Sequence, residues 1–115
     1  SFVLRKNCDH IAANGVKLSS IIATGGGAKS AIWCQMQADI TGLPVSIPKE
    51  KEAACLGAAL IAAVSDGRFE SYEAAVHTCV ELPFSYRPHP TEKTEKKYRR
   101  FCALYRAALA INEIN

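Results

Sequence analysis

An apolar run that stops abruptly in three consecutive glycines constrains this chain more than any other feature. It reads Ile21-Ile22-Ala23-Thr24-Gly25-Gly26-Gly27-Ala28-Lys29-Ser30, and a helical pattern begins directly after it. This order of strand, glycine turn and helix lets backbone N–H groups at a helix N-terminus face an anion with no side chain in the way. Three glycines are more than a tight turn needs, and glycine is the residue that permits close backbone approach to a ligand. The stretch is therefore a candidate nucleotide-contacting turn.

The rest of the chain supplies elements around it. Phe2, Val3, Leu4, Cys8, Ile11 and Ala12 recur at helical intervals over residues 2 to about 13, and Asn14-Gly15 supplies a stop. Ser19 to Thr24 is short, partly β-branched and bounded by turn residues, so it is expected as a buried strand. After the glycines, Ile32, Trp33, Met36 and Ile40 share one helical face, which predicts them as the packed stripe, with Thr41-Gly42 as the stop. Leu43, Val45 and Ile47 then alternate with Pro44, Ser46 and Pro48. That pattern predicts a second strand, placed at an edge because proline cannot donate to a sheet ladder.

Glu52 to Ser65 is apolar almost all round, the pattern of a buried helix, and Asp66-Gly67 closes it. Ser71 is the expected N-cap of a shorter helix reaching Val80. The segment Leu82 to Pro90, with three prolines, reads as an extended connector. Thr91 is the expected cap of a long last helix with Glu92 and Glu95 in its first turns, where acidic groups favour the dipole. Its apolar stripe is Tyr98, Phe101, Cys102, Tyr105, Ala108 and Leu109. Strands separated by helices predict an α/β unit with a short parallel sheet and a crossover. Two strands make a poor sheet. The chain also opens inside a helical pattern without a starting methionine, so a missing N-terminal portion is expected.

Composition narrows the function classes. At 115 residues, one domain is the default, with 49% apolar and 22% charged residues as in ordinary globular chains. The net charge of +3 is mild, which argues against nucleic acid as a partner. No apolar run reaches a membrane span and no signal peptide is visible, so no membrane partner is expected. The five cysteines are scattered without C-x-x-C spacing. Cys34 and Cys55 read as small buried hydrophobes, and a reducing, cytoplasmic setting fits.

The glycine turn has decoys. A P-loop requires glycine where Ala28 stands, and no apolar strand ending in aspartate follows to hold magnesium. A dinucleotide fold requires an acidic residue after the second strand, where Ile47 is followed by Pro48 and Lys49. Gly25-Gly26-Gly27-Ala28-Lys29-Ser30-x-x-Trp33-x-Gln35-x-x-Ala38-Asp39-x-x-Gly42-x-Pro44-Val45, followed by Glu52 and Leu56-Gly57-Ala58-Ala59, resembles the C-terminal signature of the FGGY carbohydrate kinases. The closest flavour is xylulokinase-like, and the last helix, with Tyr98 and Tyr105, is similar to that family's usual ending.

The resemblance implies that residues 1–115 are the C-terminal portion of the ATP-binding domain of a two-domain enzyme. That domain would have the ribonuclease-H-like (actin-like ATPase) fold. Such an enzyme would transfer the γ-phosphoryl of ATP to a hydroxyl of a ketose or polyol in a cleft between domains. It further implies that Gly25, Gly26 and Gly27 contact the nucleotide through their backbone, near the α-phosphate and ribose. Ser30 would contact it through its hydroxyl, near the adenine. No counterpart of the family's catalytic aspartate or of its Asp-x-Gly-Thr-type phosphate loop occurs here, so the catalytic base and the Mg2+ ligands are expected outside these residues. Phosphoryl transfer depends on positioning and charge stabilisation, which needs both. The fragment alone is expected to be inactive. The competing readings are a non-catalytic nucleotide-binding module and a degenerate P-loop NTPase. Pairing of an exposed sheet edge would make a homo-oligomer.

Several residues have plainer readings. Lys29 suits an exposed helix position, Trp33 core packing rather than adenine stacking, and Asp39 a structural hydrogen-bonding role. Glu52 suits the start of a helix whatever its function. His10, His77 and His89 show no metal-ligand spacing. The basic residues Lys93, Lys96, Lys97, Arg99 and Arg100 alternate with acids and read as a solvated face.

Overall fold

The computed structural model describes residues 1–50 and 52–112. Its elements run α1 (Phe2–Ala13), β1 (Ile21–Ile22), a 3-10 turn (Gly26–Lys29), α2 (Ala31–Thr41), β2 (Val45–Ile47), α3 (Ala53–Ser65), α4 (Tyr72–Cys79), β3 (Phe84–Tyr86) and α5 (Glu92–Asn112). Ser71 and Thr91 cap their helices as expected, and Ser30, read from the sequence only as a nucleotide contact, is a cap as well. Ser30 Oγ accepts from the Trp33 N–H at 3.3 Å, Ser71 Oγ from Ala74 at 3.1 Å and Thr91 Oγ1 from Thr94 at 3.2 Å, so each helix gains a satisfied donor in its first turn. Gly42 ends α2 in the left-handed conformation at φ 73°, which an L side chain rarely adopts.

The sheet has three strands in the order β1-β2-β3. β1 and β2 are parallel, with Ile21 opposite Val45, and α2 is the crossover between them. β3 runs antiparallel to β2, with Val45 opposite Tyr86 and Ile47 opposite Phe84. This corrects three expectations. The strand at Val45–Ile47 is central and not an edge, because Pro44 and Pro48 flank it outside the ladder; Pro44 contributes only its carbonyl, which accepts from the Ile21 N–H at 2.8 Å. The segment Leu82 to Pro90 is not wholly a connector, because Phe84–Tyr86 pairs between its prolines. The first strand is also shorter than Ser19–Thr24.

The core lies under this sheet. Cys34, Ala38 and Val45 are fully buried, with Ile21, Ala23, Ile47 and Tyr86 packed against them. α2 therefore turns its small residues inward. Ile32, Trp33 and Met36, expected as the packed stripe, are 83%, 41% and 36% exposed, and only Ile40 of that set is buried. Short side chains let the helix approach the sheet closely, and the bulky ones are left facing outward.

The all-round apolar helix is likewise corrected. Leu60 is its buried residue, Ile61 is 57% exposed and Cys55 is exposed, because α3 packs chiefly on α4. α5 docks across α1. Phe2 meets Tyr98 and Phe101 at ring-centroid distances of 5.8 and 5.6 Å, and the Arg5 guanidinium lies 4.0 Å over the Tyr98 ring.

Candidate functional site

β1 and β2, being parallel, end on the same side, and ligand sites in such sheets lie beyond the strands' carboxyl ends. A groove of about 540 Å³ opens there. One wall is the glycine turn, with Thr24, Gly25, Gly26 and Lys29. The other is the β2–α3 connection, with Pro48, Lys49, Glu50 and Glu52, and Phe84 joins from β3. Lys49 and Glu50 in this second wall carry no motif, and the only sequence signal for it is the end of β2 at Ile47.

The three glycines serve different ends. Gly25 has φ 76° and ψ −161°, a conformation essentially reserved to glycine. Gly26 has no positive φ, and a Cβ built on it would meet nothing within 4 Å. The fold does not demand a glycine at Gly26, yet this residue lines the groove. Gly27 faces the other way: a Cβ there would touch the Trp33 indole Nε1 at 3.4 Å, an ordinary contact. Gly25 and Gly26 are thus together on the groove wall, whereas Gly27 and Ser30 sit on the α2 side, outside the residues that line it. Ser30 Oγ is engaged as the α2 cap, which leaves its O–H free to donate.

The turn is built unlike a P-loop. There, the lysine and serine open the helix itself. Here Lys29 closes a 3-10 turn, and Ser30 is extended at φ −102° and ψ 109°. The first N–H groups of such a turn have no partner within it, so Gly26 and Gly27 present unpaired donors by geometry. Lys29 is exposed at the rim. Lys49 is tied to Glu81, through its ammonium at 2.9 Å and through its backbone N–H to the Glu81 carbonyl at 2.9 Å. On the facing wall Glu50 Oε1 accepts from the Glu52 N–H at 3.1 Å.

This donor set suits an anionic, hydroxyl-bearing ligand such as a nucleotide: bare backbone N–H groups and Lys29 on one side, the Glu50 and Glu52 carboxylates on the other, with Lys49 beside them. It does not suit a complete magnesium site. Among the described residues, no group of three or more His, Cys, Asp or Glu side chains gathers to hold a metal.

Asp39 does what its place in α2 suggested. Its Oδ1 accepts from Gln35 Nε2 and from the His89 backbone N–H, both at 2.8 Å. It therefore holds the β3–α5 connector onto α2. Trp33 is not core, and its indole lies against the back of the glycine turn.

Residues 1–65 match the family model described as the FGGY family of carbohydrate kinases, C-terminal domain. An autoinducer-2 kinase from Yersinia enterocolitica is 40% identical over 95 residues, covering 83% of this chain and 16% of that protein. The chain thus spans about one sixth of the length of the curated relatives it matches. Among solved structures, a xylulose kinase from Lactobacillus acidophilus superposes with TM-score 0.76 at 28% identity, over 95% of this chain and 22% of that one. A xylulose kinase from Rhodospirillum rubrum does so with TM-score 0.78 at 25% identity, over 96% of this chain and 23% of that one. Among the described residues, no helix is long and apolar enough to cross a membrane.

Proposed function

Because the chain belongs to the FGGY family of carbohydrate kinases, we propose that it is the C-terminal part of the ATP-binding domain of a sugar or polyol kinase and that its groove holds part of ATP. Gly25 and Gly26 contact the nucleotide through the backbone from the groove wall, and Gly27, set behind that wall, does so through its unpaired N–H. Ser30 donates its hydroxyl on the nucleoside side. The complete enzyme transfers the γ-phosphoryl of ATP to a hydroxyl of a ketose or polyol. The base and the magnesium ligands come from outside these residues.

The observation that carries this reading is Gly26. An unstrained glycine with open space around it, on a groove wall and beside donors the turn cannot use, is best accounted for by a ligand approaching the backbone closely. Phosphoryl transfer is mainly positioning plus charge stabilisation, so a wall that fixes the nucleoside end contributes by orienting the phosphates.

The test is a titration of the isotope-labelled chain with ADP, following backbone amide resonances. Saturable shifts centred on Gly25, Gly26, Gly27 and Ser30 are expected, and absence of shifts at these residues overturns the site. The activity is checked separately by ADP release from the full-length protein over pentuloses, hexuloses and polyols. No turnover with any of them would sink the kinase reading.

A further inference from the structure

The glycine turn is not held by the sheet ladder, and its glycines do little to stiffen it. What steadies it is the start of α2. The Gly27 carbonyl accepts from the Ser30 N–H at 3.3 Å and faces the Cys34 thiol at 3.8 Å. The same thiol lies 3.8 Å from the Ala28 carbonyl. Cys34 is fully buried in the core formed with Ala38 and Val45, so these weak sulfur contacts tie the turn to the packed interface between α2 and the sheet. On the outside, the Trp33 indole lies flush against the place where Gly27 lacks a side chain, with Nε1 and Cδ1 at 3.4 and 3.5 Å from an ideal Cβ. The indole is 41% exposed and forms no part of the groove lining. Its position serves the turn rather than the core.

We infer that Trp33 and Cys34 are positioning residues for the nucleotide half-site: the indole behind Gly27 and the thiol beneath Gly27 and Ala28 hold the turn so that Gly26 keeps its backbone facing the groove. This rests on the nucleotide reading above for its functional consequence, but its structural part does not. Catalysis and binding are sensitive to small displacements of positioning groups, so loss of the brace weakens nucleotide binding without removing any contacting atom. Cys34→Ser keeps a donor under the two carbonyls, and Trp33→Phe keeps a ring behind Gly27.

The experiment compares Trp33→Ala, Trp33→Phe, Cys34→Ala and Cys34→Ser with the unaltered chain, by backbone relaxation without nucleotide and by ADP titration. In Trp33→Ala, order parameters at Gly26, Gly27 and Ala28 are expected to fall from about 0.85 to below about 0.6, while residues of β2 stay rigid. ADP affinity is expected to fall by about tenfold, the equivalent of about 1.4 kcal/mol. Trp33→Phe restores most of both, and Cys34→Ser more than Cys34→Ala. Unchanged order parameters in a folded Trp33→Ala overturn the inference. Should that variant not fold, the same readout on Trp33→Leu, which also lacks the ring, and on Cys34→Ala decides it. A turn that loosens in a chain whose unaltered form binds no ADP keeps the brace and overturns the nucleotide reading. A loosened turn with unchanged ADP affinity overturns the positioning role.

Discussion

Tyr98 on α5 donates its phenolic hydroxyl to Asp9 Oδ2 on α1 at 2.5 Å, linking two helices at opposite ends of the sequence. The ring is buried against Phe2 and under the Arg5 guanidinium. Burial pushes the Tyr98 phenol above its ordinary value of 10.0, and the hydrogen bond to the Asp9 carboxylate pushes it further in the same direction. A raised folded value means that the contribution is fully present below the unfolded value and is lost as pH rises toward the folded one. Tyr98→Phe is expected to lower stability by about 1 kcal/mol at neutral pH, the usual worth of one such bond. The difference between variant and original in denaturant unfolding shrinks above the ordinary value of 10.0. A difference that persists unchanged there contradicts this account.

The neighbouring ion pair has the opposite pH sense. Arg5 grips Glu95 at two points, Nη1 to Oε1 at 2.5 Å and Nη2 to Oε2 at 3.1 Å. That hydrogen bonding holds the Glu95 carboxyl below its ordinary value of 4.5. Its contribution is present above that value and is lost as pH falls through the lowered one. In acid unfolding followed by circular dichroism, Glu95→Gln is expected to be less stable than the original at neutral pH and to converge with it in acid. Parallel curves down to the lowest pH would show that the pair does not stabilise the docked helix.

Gly25 and Gly26 separate conformation from approach. Gly25→Ala forces a side chain into a positive-φ conformation and is expected to cost about 1–3 kcal/mol of stability. Gly26→Ala relieves the unfolded chain of glycine's freedom and is expected to stabilise by about 0.4–1 kcal/mol. Its methyl projects where the ligand comes close, so ADP affinity falls while the melting temperature rises. Chemical denaturation and calorimetric titration on the same samples check both signs. A Gly26→Ala chain that binds ADP as well as the original would remove the reason for a glycine there.

Lys29 distinguishes the present turn from a P-loop. Exposed at the end of the 3-10 turn, it contributes general attraction rather than a grip on phosphate. Lys29→Ala is expected to weaken ADP binding less than about tenfold, with most of the loss disappearing at high salt. Abolished binding with a harmless Gly26→Val would favour the P-loop instead.

Asp39→Ala removes the acceptor of the exposed His89 N–H, whereas the Gln35 amide keeps the Arg87 carbonyl at 2.8 Å. The expected cost is about 0.5–1.5 kcal/mol, with the connector around His89 loosened from α2. Asp39→Asn keeps an acceptor oxygen and is expected to recover part of that loss. Hydrogen exchange at the His89 amide reads the release directly, and an amide equally protected in Asp39→Ala would refute it.

The glycine turn, the helix starts at Ser71 and Thr91, and the likeness to FGGY kinases were legible in the residue order, whereas the cap at Ser30 was not. The packed face of α2 was not. Ile32, Trp33 and Met36 outrank Cys34 and Ala38 in hydrophobicity, and only the closeness of α2 to the sheet selects the small residues. The strand at Phe84–Tyr86 was hidden between prolines and exists because β2 offers it an unpaired edge. The far wall of the groove, at Lys49 and Glu50, carried no motif.

Caps and stops are contacts between residues three or four apart, so the sequence by itself determined where the helices begin and end and where the backbone runs bare. Contacts across longer separations depend on which surfaces meet. Val45 opposite Tyr86, Asp39 beneath His89, Asp9 against Tyr98 and Trp33 behind Gly27 were decided by tertiary structure. Packing density and the need to pair every strand rank alternatives that local propensity leaves equal.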